Sequence, residues 1–183
     1  LERLIKDLLD LARLRRRSFD VTLQATDLAE IAHEALARHT PQAQDYGVNL
    51  VLRADEPAGA IADGGRTLQA LSNLVENAIR CTSEGGTVEI VATPGRLAVV
   101  DDGPGIEPED LDQAFERFYL WERYGVDRPV GSGHGLAIVA ELATAMRGRV
   151  TVTSTPGHGS VFTLELEPAP VPDHSAYARL TQR

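Results

Sequence analysis

One cysteine, one tryptophan and one methionine occur in 183 residues, and aromatics make up only 5% of the chain. Cys81 alone cannot build an intramolecular disulfide framework, which excludes the small cross-linked secreted class and fits a reducing compartment. No apolar run approaches the roughly 20 residues of a membrane-spanning helix. Positive charge is scarce too: 27 Asp and Glu oppose 18 Lys and Arg, for a formal net charge of -9, and the one basic cluster is Arg13, Arg15, Arg16 and Arg17. That balance argues against nucleic acid as a partner. The cluster suits the end of a helix, where cations complement the dipole. What is present, 43% hydrophobic and 25% charged residues, is enough to bury a core in one main domain.

Leu1, Leu4, Ile5, Leu8, Leu11 and Leu14 recur at three and four residues, so 1–17 reads as an amphipathic helix in need of a partner helix. The chain opens inside that pattern and is read as part of a longer protein. A linker is expected over 18–26. A second helix begins near Asp27, with Glu30 as its capping-box signal, and runs to about Asp45. Val48 to Arg53 alternates as a strand, Pro57-Ala-Gly59 turns the chain, and 64–82 is helical again. Thr87 to Thr93 and Arg96 to Val100 form a hairpin across Pro94-Gly95. A short helix is expected from Pro108 to Phe118, a polar and aromatic segment from Tyr119 to Val130, a helix over 135–147, and strands at 150–154 and 160–167. The tail over 168–183 has three prolines in its first five residues and reads as a linker or frayed end. The sum is an α+β two-layer sandwich, a mixed and mostly antiparallel sheet covered on one face by helices, preceded by an N-terminal helix.

Three stretches could carry chemistry. Gly131-Ser-Gly133-His-Gly135 runs into a helix, and bare backbone at a helix start offers N–H groups and a positive dipole end to phosphate. It is neither a Walker A loop nor G-x-G-x-x-G, and a glycine-rich turn without a ligand is the plain alternative. On the helix 64–82, at about 100° per residue, Asn77 lies about 40° from Asn73 and Arg80 about 20° to the other side. Gln69 and Arg66 share that arc, opposite Leu68, Leu71, Val75, Ala78 and Ile79. The alternative is a solvated surface, yet asparagine is a poor helix former with no local reason to occur twice. Carboxamide oxygens suit Mg²⁺, which takes few protein ligands when phosphates supply the rest, and Arg80 would reach phosphate. Third, Asp101-Asp-Gly-Pro-Gly-Ile106 follows a Val-Val strand end. Its glycines let backbone approach a flat ligand, and its aspartate can accept from an exocyclic amine. A calcium loop is the rival, lacking the acidic alternation of an EF-hand.

Together and in this order the stretches resemble the ATP-binding catalytic domain of sensor histidine kinases, within the gyrase, chaperone and mismatch-repair ATPase superfamily. Asn73-Leu-Val-Glu-Asn77-Ala-Ile-Arg80-Cys-Thr82 resembles the N box, Asp101-x-Gly103-x-Gly105 the G1 box, Phe115-Glu-Arg-Phe118 the F box, and Gly131-x-Gly133-x-Gly135-Leu136 the G2 box. The match covers 27–167, and Leu4 to Leu14 is similar to the second helix of the family's dimerisation and phosphoacceptor hairpin.

The resemblance implies that Asn77 ligates Mg²⁺, that Asn73 and Arg80 address the phosphates of ATP as catalytic groups, and that Asp101 reads the adenine amine. Gly103, Gly105 and Ile106 would shape the base pocket. Gly131, Ser132, Gly133, His134, Gly135 and Leu136 would frame a mobile lid at 119–130 and bring backbone to the phosphates. It further implies a homodimeric parent in the bacterial inner membrane, a cytoplasmic position for this part, and a response regulator receiver domain as partner.

Departures accompany it. Arg80 stands where lysine is frequent, Cys81 where an aromatic or histidine is common, and His134 where leucine is usual. At the last of these the histidine's backbone can serve as leucine's would, and the rival reading is an imidazole that approaches the phosphates. The family's His-Glu/Asp-x-Arg-x-Pro-Leu phosphoacceptor motif is absent; His33-Glu34 lacks its Arg and Pro. The chain is therefore expected to position ATP for a histidine it does not carry. A hydrolase of the gyrase branch would need a glutamate base where Asn73 stands, a serine kinase would leave 1–17 unexplained, and a regulatory nucleotide-binding module is the remaining alternative.

Overall fold

The computed structural model describes residues 20–55, 57–124 and 133–171. The expected helix at 1–17, Gly131 and Ser132, and most of the tail lie outside them. In chain order the elements are β1 (Gln24–Asp27), α1 (Leu28–Asp45), β2 (Asn49–Ala54), β3 (Gly59–Ala62), α2 (Gly64–Cys81), β4 (Thr87–Thr93), β5 (Arg96–Asp101), a 3₁₀ helix (Pro108–Gln113), α3 (Tyr119–Tyr124), α4 (Gly135–Ala145), β6 (Arg149–Thr155), β7 (Gly159–Glu165) and β8 (Glu167–Pro168).

The five-stranded sheet has the order β2-β4-β5-β7-β6. Only its β2–β4 pair is parallel. Register stacks its apolar residues into rows on one face: Ile90 opposite Val99 opposite Phe162, and Ala92 opposite Leu97 opposite Leu164. These side chains are buried in one cluster with Leu71, Leu74, Val75 and Ile79 of α2 and Val139, Leu142 and Met146 from α4 and its end. The architecture is the α+β sandwich expected, with α1 against α2 and α2 against α4 on the sheet. No helix among the described residues is long and apolar enough to cross a membrane.

Both long helices begin on an aspartate that satisfies backbone donors freed at a helix start. Asp27 accepts from Ala29 N–H at 2.9 Å and from Ala58 N–H at 3.1 Å. Asp63 accepts from Arg66 N–H at 3.0 Å and from Thr22 N–H at 2.9 Å. Each cap therefore also ties its helix to a distant stretch of chain.

Two expectations are corrected. The stretch read as linker contains β1, and with β3 and β8 it forms a separate three-stranded antiparallel sheet. Gly59 makes this pairing possible: a side chain there would collide with the backbone of Ala169, whose N–H donates to Gly59 O at 3.2 Å. The helix expected over 108–118 ends as a 3₁₀ helix at Gln113, and α3 opens the polar and aromatic segment at Tyr119–Tyr124. The break falls at Phe118, whose φ of 63° lies outside helical geometry for a bulky residue.

His39 of α1 is buried, and burial holds its imidazole below the ordinary histidine value, against the raising effect of the Gln42 amide. The folded state thus binds this proton less readily than the unfolded chain, so stability falls as pH drops below about 6.5. The loss in melting temperature between pH 7 and pH 5 is expected to be smaller in His39→Leu than in the parent, measured by circular dichroism.

Candidate functional site

Helix α2 supplies the first wall of the site. Its buried face includes Leu68, Leu71, Leu74, Val75, Ala78 and Ile79, and with these set against the sheet Asn77 and Cys81 turn toward a cleft at the end of β5. The cleft, about 430 Å³ of open space, is lined by Asn77, Cys81, Asp101, Gly105 and Ile106, and also by Pro104, Leu120, Tyr124, Ser160 and Phe162. Its lining is mostly apolar, with a few polar groups set among it, a pattern usual for small-molecule sites.

Asp101 closes β5 and is 6% exposed. It pairs in register with Ser160, and its Oδ1 accepts from Gly103 N–H at 3.0 Å. The loop that follows is strapped down from two sides. Asp102 accepts from Thr87 N–H at 2.9 Å, and Ser154 Oγ accepts from Ile106 N–H at 2.8 Å while donating to Gly159 O at 2.7 Å. Gly157 N–H donates to Pro104 O at 2.9 Å. Such close approach requires bare backbone, as at Gly103 and Gly159. A Cβ on Gly103 would stand 3.1 Å from the Cys81 carbonyl oxygen. Gly159, at φ 91°, sits directly over the backbone of Asp101.

The expected residues divide. Asn77, Asp101, Gly105 and Ile106 share the cleft. Asn73 lies one turn away and faces the start of α4, where a Cβ on Gly135 would be 3.9 Å from its Oδ1. Gly133, at φ 74°, precedes that start, and Leu136 packs against the core. Arg80 donates to Glu76 Oε1 at 2.8 Å, and its buried Nε has no partner among the described residues. The guanidinium is thus partly committed within its own helix.

His134 is buried at the N-terminus of α4, with its ring edge-on to Phe118 at a centroid distance of 4.3 Å. The ring that the sequence offered to phosphate thus packs against the F-box stretch. Phe118 N–H also donates to Gly133 O at 2.9 Å, and Arg117 pairs with Glu141 of α4 at 2.8 Å. The F-box stretch is therefore clamped to α4 through backbone, ring and charge. Ser160 and Phe162 were not legible as site residues, because they arrive from β7. Leu120 and Tyr124 fall within the stretch 119–130 read as a lid, and their four-residue spacing places both on one helical face.

Among the described residues no group of three or more His, Cys, Asp or Glu is placed to hold a metal ion. A lone carboxamide fits a hard cation that arrives with phosphate oxygens, and does not fit a structural metal centre.

A helix-borne carboxamide, a buried strand-end aspartate and a glycine loop around an apolar cleft define an α+β sandwich of the ligand-binding class. Residues 62–170 match the model of the histidine kinase-, DNA gyrase B- and HSP90-like ATPases, and the chain belongs to that family. The sensor-like histidine kinase SenX3 of Mycolicibacterium smegmatis is 33% identical over 184 residues, which cover 98% of this chain and 48% of the relative. The chain thus spans about half the length of this curated relative. Full-length ShkA, solved in complex with AMPPNP, superposes with a TM-score of 0.78 at 31% identity, covering 92% of this chain and 36% of that one. ThkA, solved with the response regulator TrrA, shares the fold with a TM-score of 0.73 at 22% identity, covering 92% of this chain and 48% of that one.

Gly159→Ala is expected to destabilise the protein by about 2 kcal/mol or more, since a left-handed φ and a backbone collision act at the same residue. Urea unfolding checks the size, and the same change at exposed Gly157, where nothing lies within 4 Å, isolates the strain of φ alone.

Proposed function

We propose that this chain is the ATP-binding catalytic part of a two-component sensor histidine kinase, holding Mg-ATP so that its γ-phosphoryl group passes to a histidine carried outside these residues. The observation that carries the reading is the meeting of Asn77, Asp101, Gly105 and Ile106 in one cleft. Two motifs separate in sequence line it, and Asn73, one turn from Asn77 on the same helix, lies beside Gly135 of the third. The AMPPNP bound to ShkA supports the same ligand class.

In this reading Asp101 accepts from the adenine amine, with its second oxygen steadied by Gly103 N–H. Ile106 and Phe162 offer apolar surface to the base, and Gly105 lets the loop close on it. The Asn77 carboxamide oxygen would hold Mg²⁺, which when bound neutralises phosphate charge and orients the transferred group. Asn73 and the free edge of Arg80 address phosphate oxygens. The backbone at Gly133, His134, Gly135 and Leu136 supplies N–H groups at the positive end of α4. The protein's work is placement and charge complementarity: the bond from the γ-phosphorus to the bridging oxygen breaks, one to the acceptor nitrogen forms, and ADP leaves.

Hydrolysis is not favoured. The position of a gyrase-type glutamate base holds Asn73, and the nearest acid on the helix, Glu76, is paired with Arg80. The wider proposal places this part on the cytoplasmic side of a parent in the bacterial inner membrane, dimeric through a hairpin whose second helix is residues 1–17. A response regulator receiver domain takes the phosphoryl group onward, as the ThkA complex with TrrA supports. The carboxylate surplus argues against nucleic acid as a partner.

Asn77→Ala is expected to abolish Mg-ATP binding in calorimetry while leaving the circular dichroism spectrum unchanged; tight binding by that variant contradicts the site. Phosphate release by the chain alone should be negligible, and turnover near the typical enzyme value of about 10 per second would favour an ATPase. Labelled ATP should yield an acid-labile protein phosphate only when the upstream hairpin is supplied.

A further inference from the structure

Asp110, in the 3₁₀ helix, is 2% exposed and belongs to none of the four boxes. Its carboxylate gathers three side chains of α3. Tyr119 Oη donates to Oδ1 at 2.8 Å, Tyr124 Oη donates to Oδ2 through a short bond, and Arg123 Nε donates to the same oxygen at 3.4 Å. The Tyr124 hydroxyl, the Tyr119 hydroxyl and then the guanidinium hold the carboxyl below the usual carboxylate range. Tyr124 Oη in turn accepts from Glu107 N–H at 3.3 Å, next to Ile106 of the cleft.

A helix of six residues has no stability of its own. What holds α3 must be its attachments: Leu120 packs against the core, and the buried polar anchor among the described residues is Asp110; the Arg123–Glu109 pair at 3.8 Å is exposed on both sides and counts for little. Positions four apart share a helical face. Tyr119 and Arg123 turn to Asp110, while Leu120 and Tyr124 turn to the cleft and form its outer wall, the part of the lining that α3 adds to Asn77 and Asp101. Tyr124 serves both sides, its ring in the wall and its hydroxyl on the carboxylate.

We propose that Asp110 is a positioning residue for the nucleotide: by holding Tyr119, Tyr124 and Arg123 it sets Leu120 and Tyr124 as the outer wall of the cleft and so governs how fast bound nucleotide escapes. The proposal rests on the reading of the cleft as an ATP site. Asp110 touches no ligand, and its effect is carried by the wall.

The test is the dissociation rate of a fluorescent methylanthraniloyl-ADP from the 183-residue chain with Mg²⁺, chased by unlabelled ADP in stopped flow, with melting temperatures in parallel. Asp110→Asn removes the charge, and Tyr124→Phe removes one hydroxyl while keeping the ring. Each is expected to raise the rate about tenfold, the scale of a lost charge-assisted hydrogen bond, and the double variant should be no faster than either single one. Ile31→Val, on α1 away from the cleft, reports how far an equal loss of stability moves the rate. Unchanged rates, rates that merely follow the melting temperature as in Ile31→Val, or additive effects overturn the proposal and leave the nucleotide site standing. Failure of the parent chain to bind the probe overturns the nucleotide reading itself, and the positioning role with it.

Discussion

The seating of α2 on the sheet governs the rest of the structure. One helix carries two programmes on opposite arcs. Leu68, Leu71, Leu74, Val75 and Ile79 are buried against the strands, and removing that much apolar surface from water leaves the helix a single rotational setting. With the rotation fixed, Asn73 meets the start of α4 and Asn77 meets the cleft without any polar contact having to choose them. A shift of one position along the helix would turn the arc by about 100° and bury the carboxamides.

The second constraint is how near backbone comes to backbone around β5. Two adjacent aspartates have different fates there. Asp101 points into the sandwich, in the row of Val88 and Ser160, and Asp102 points out to hold the hairpin at Thr87. Strand alternation alone separates them. The loop between them and Ile106 is then held by Ser154, Gly157 and Gly159 from the β6–β7 turn. A flat ligand can be received because the loop is pinned from behind, leaving its front surface to the cleft.

Much of this was legible from residue order. The period of 3.6 on α2, the Asp27 cap, the Pro94-Gly95 hairpin and the strands at 150–154 and 160–167 all lie near where the pattern places them, since each rests on neighbours within a turn or two. The three-stranded sheet was not. Gln24–Asp27 and Gly59–Ala62 have little apolar alternation, and they are strands because Gly59, Gly95 and Ala169 meet across long stretches of chain. The break at Phe118 was hidden for the same reason. Its backbone is set by Gly133 and its ring by His134, fifteen and sixteen positions later.

By itself, the sequence determined the family, the order of its boxes and which residue types stand ready for base, metal and phosphate, because those depend on local spacing and side-chain chemistry. Tertiary structure decided which of them meet. It brought Asn77 and Asp101 to one cleft, engaged Arg80 with Glu76, turned the His134 ring onto Phe118, and raised an outer wall from Leu120 and Tyr124. Those outcomes depend on distances between elements far apart in the chain, and packing of the sheet and helices, with no periodicity to announce it, sets such distances.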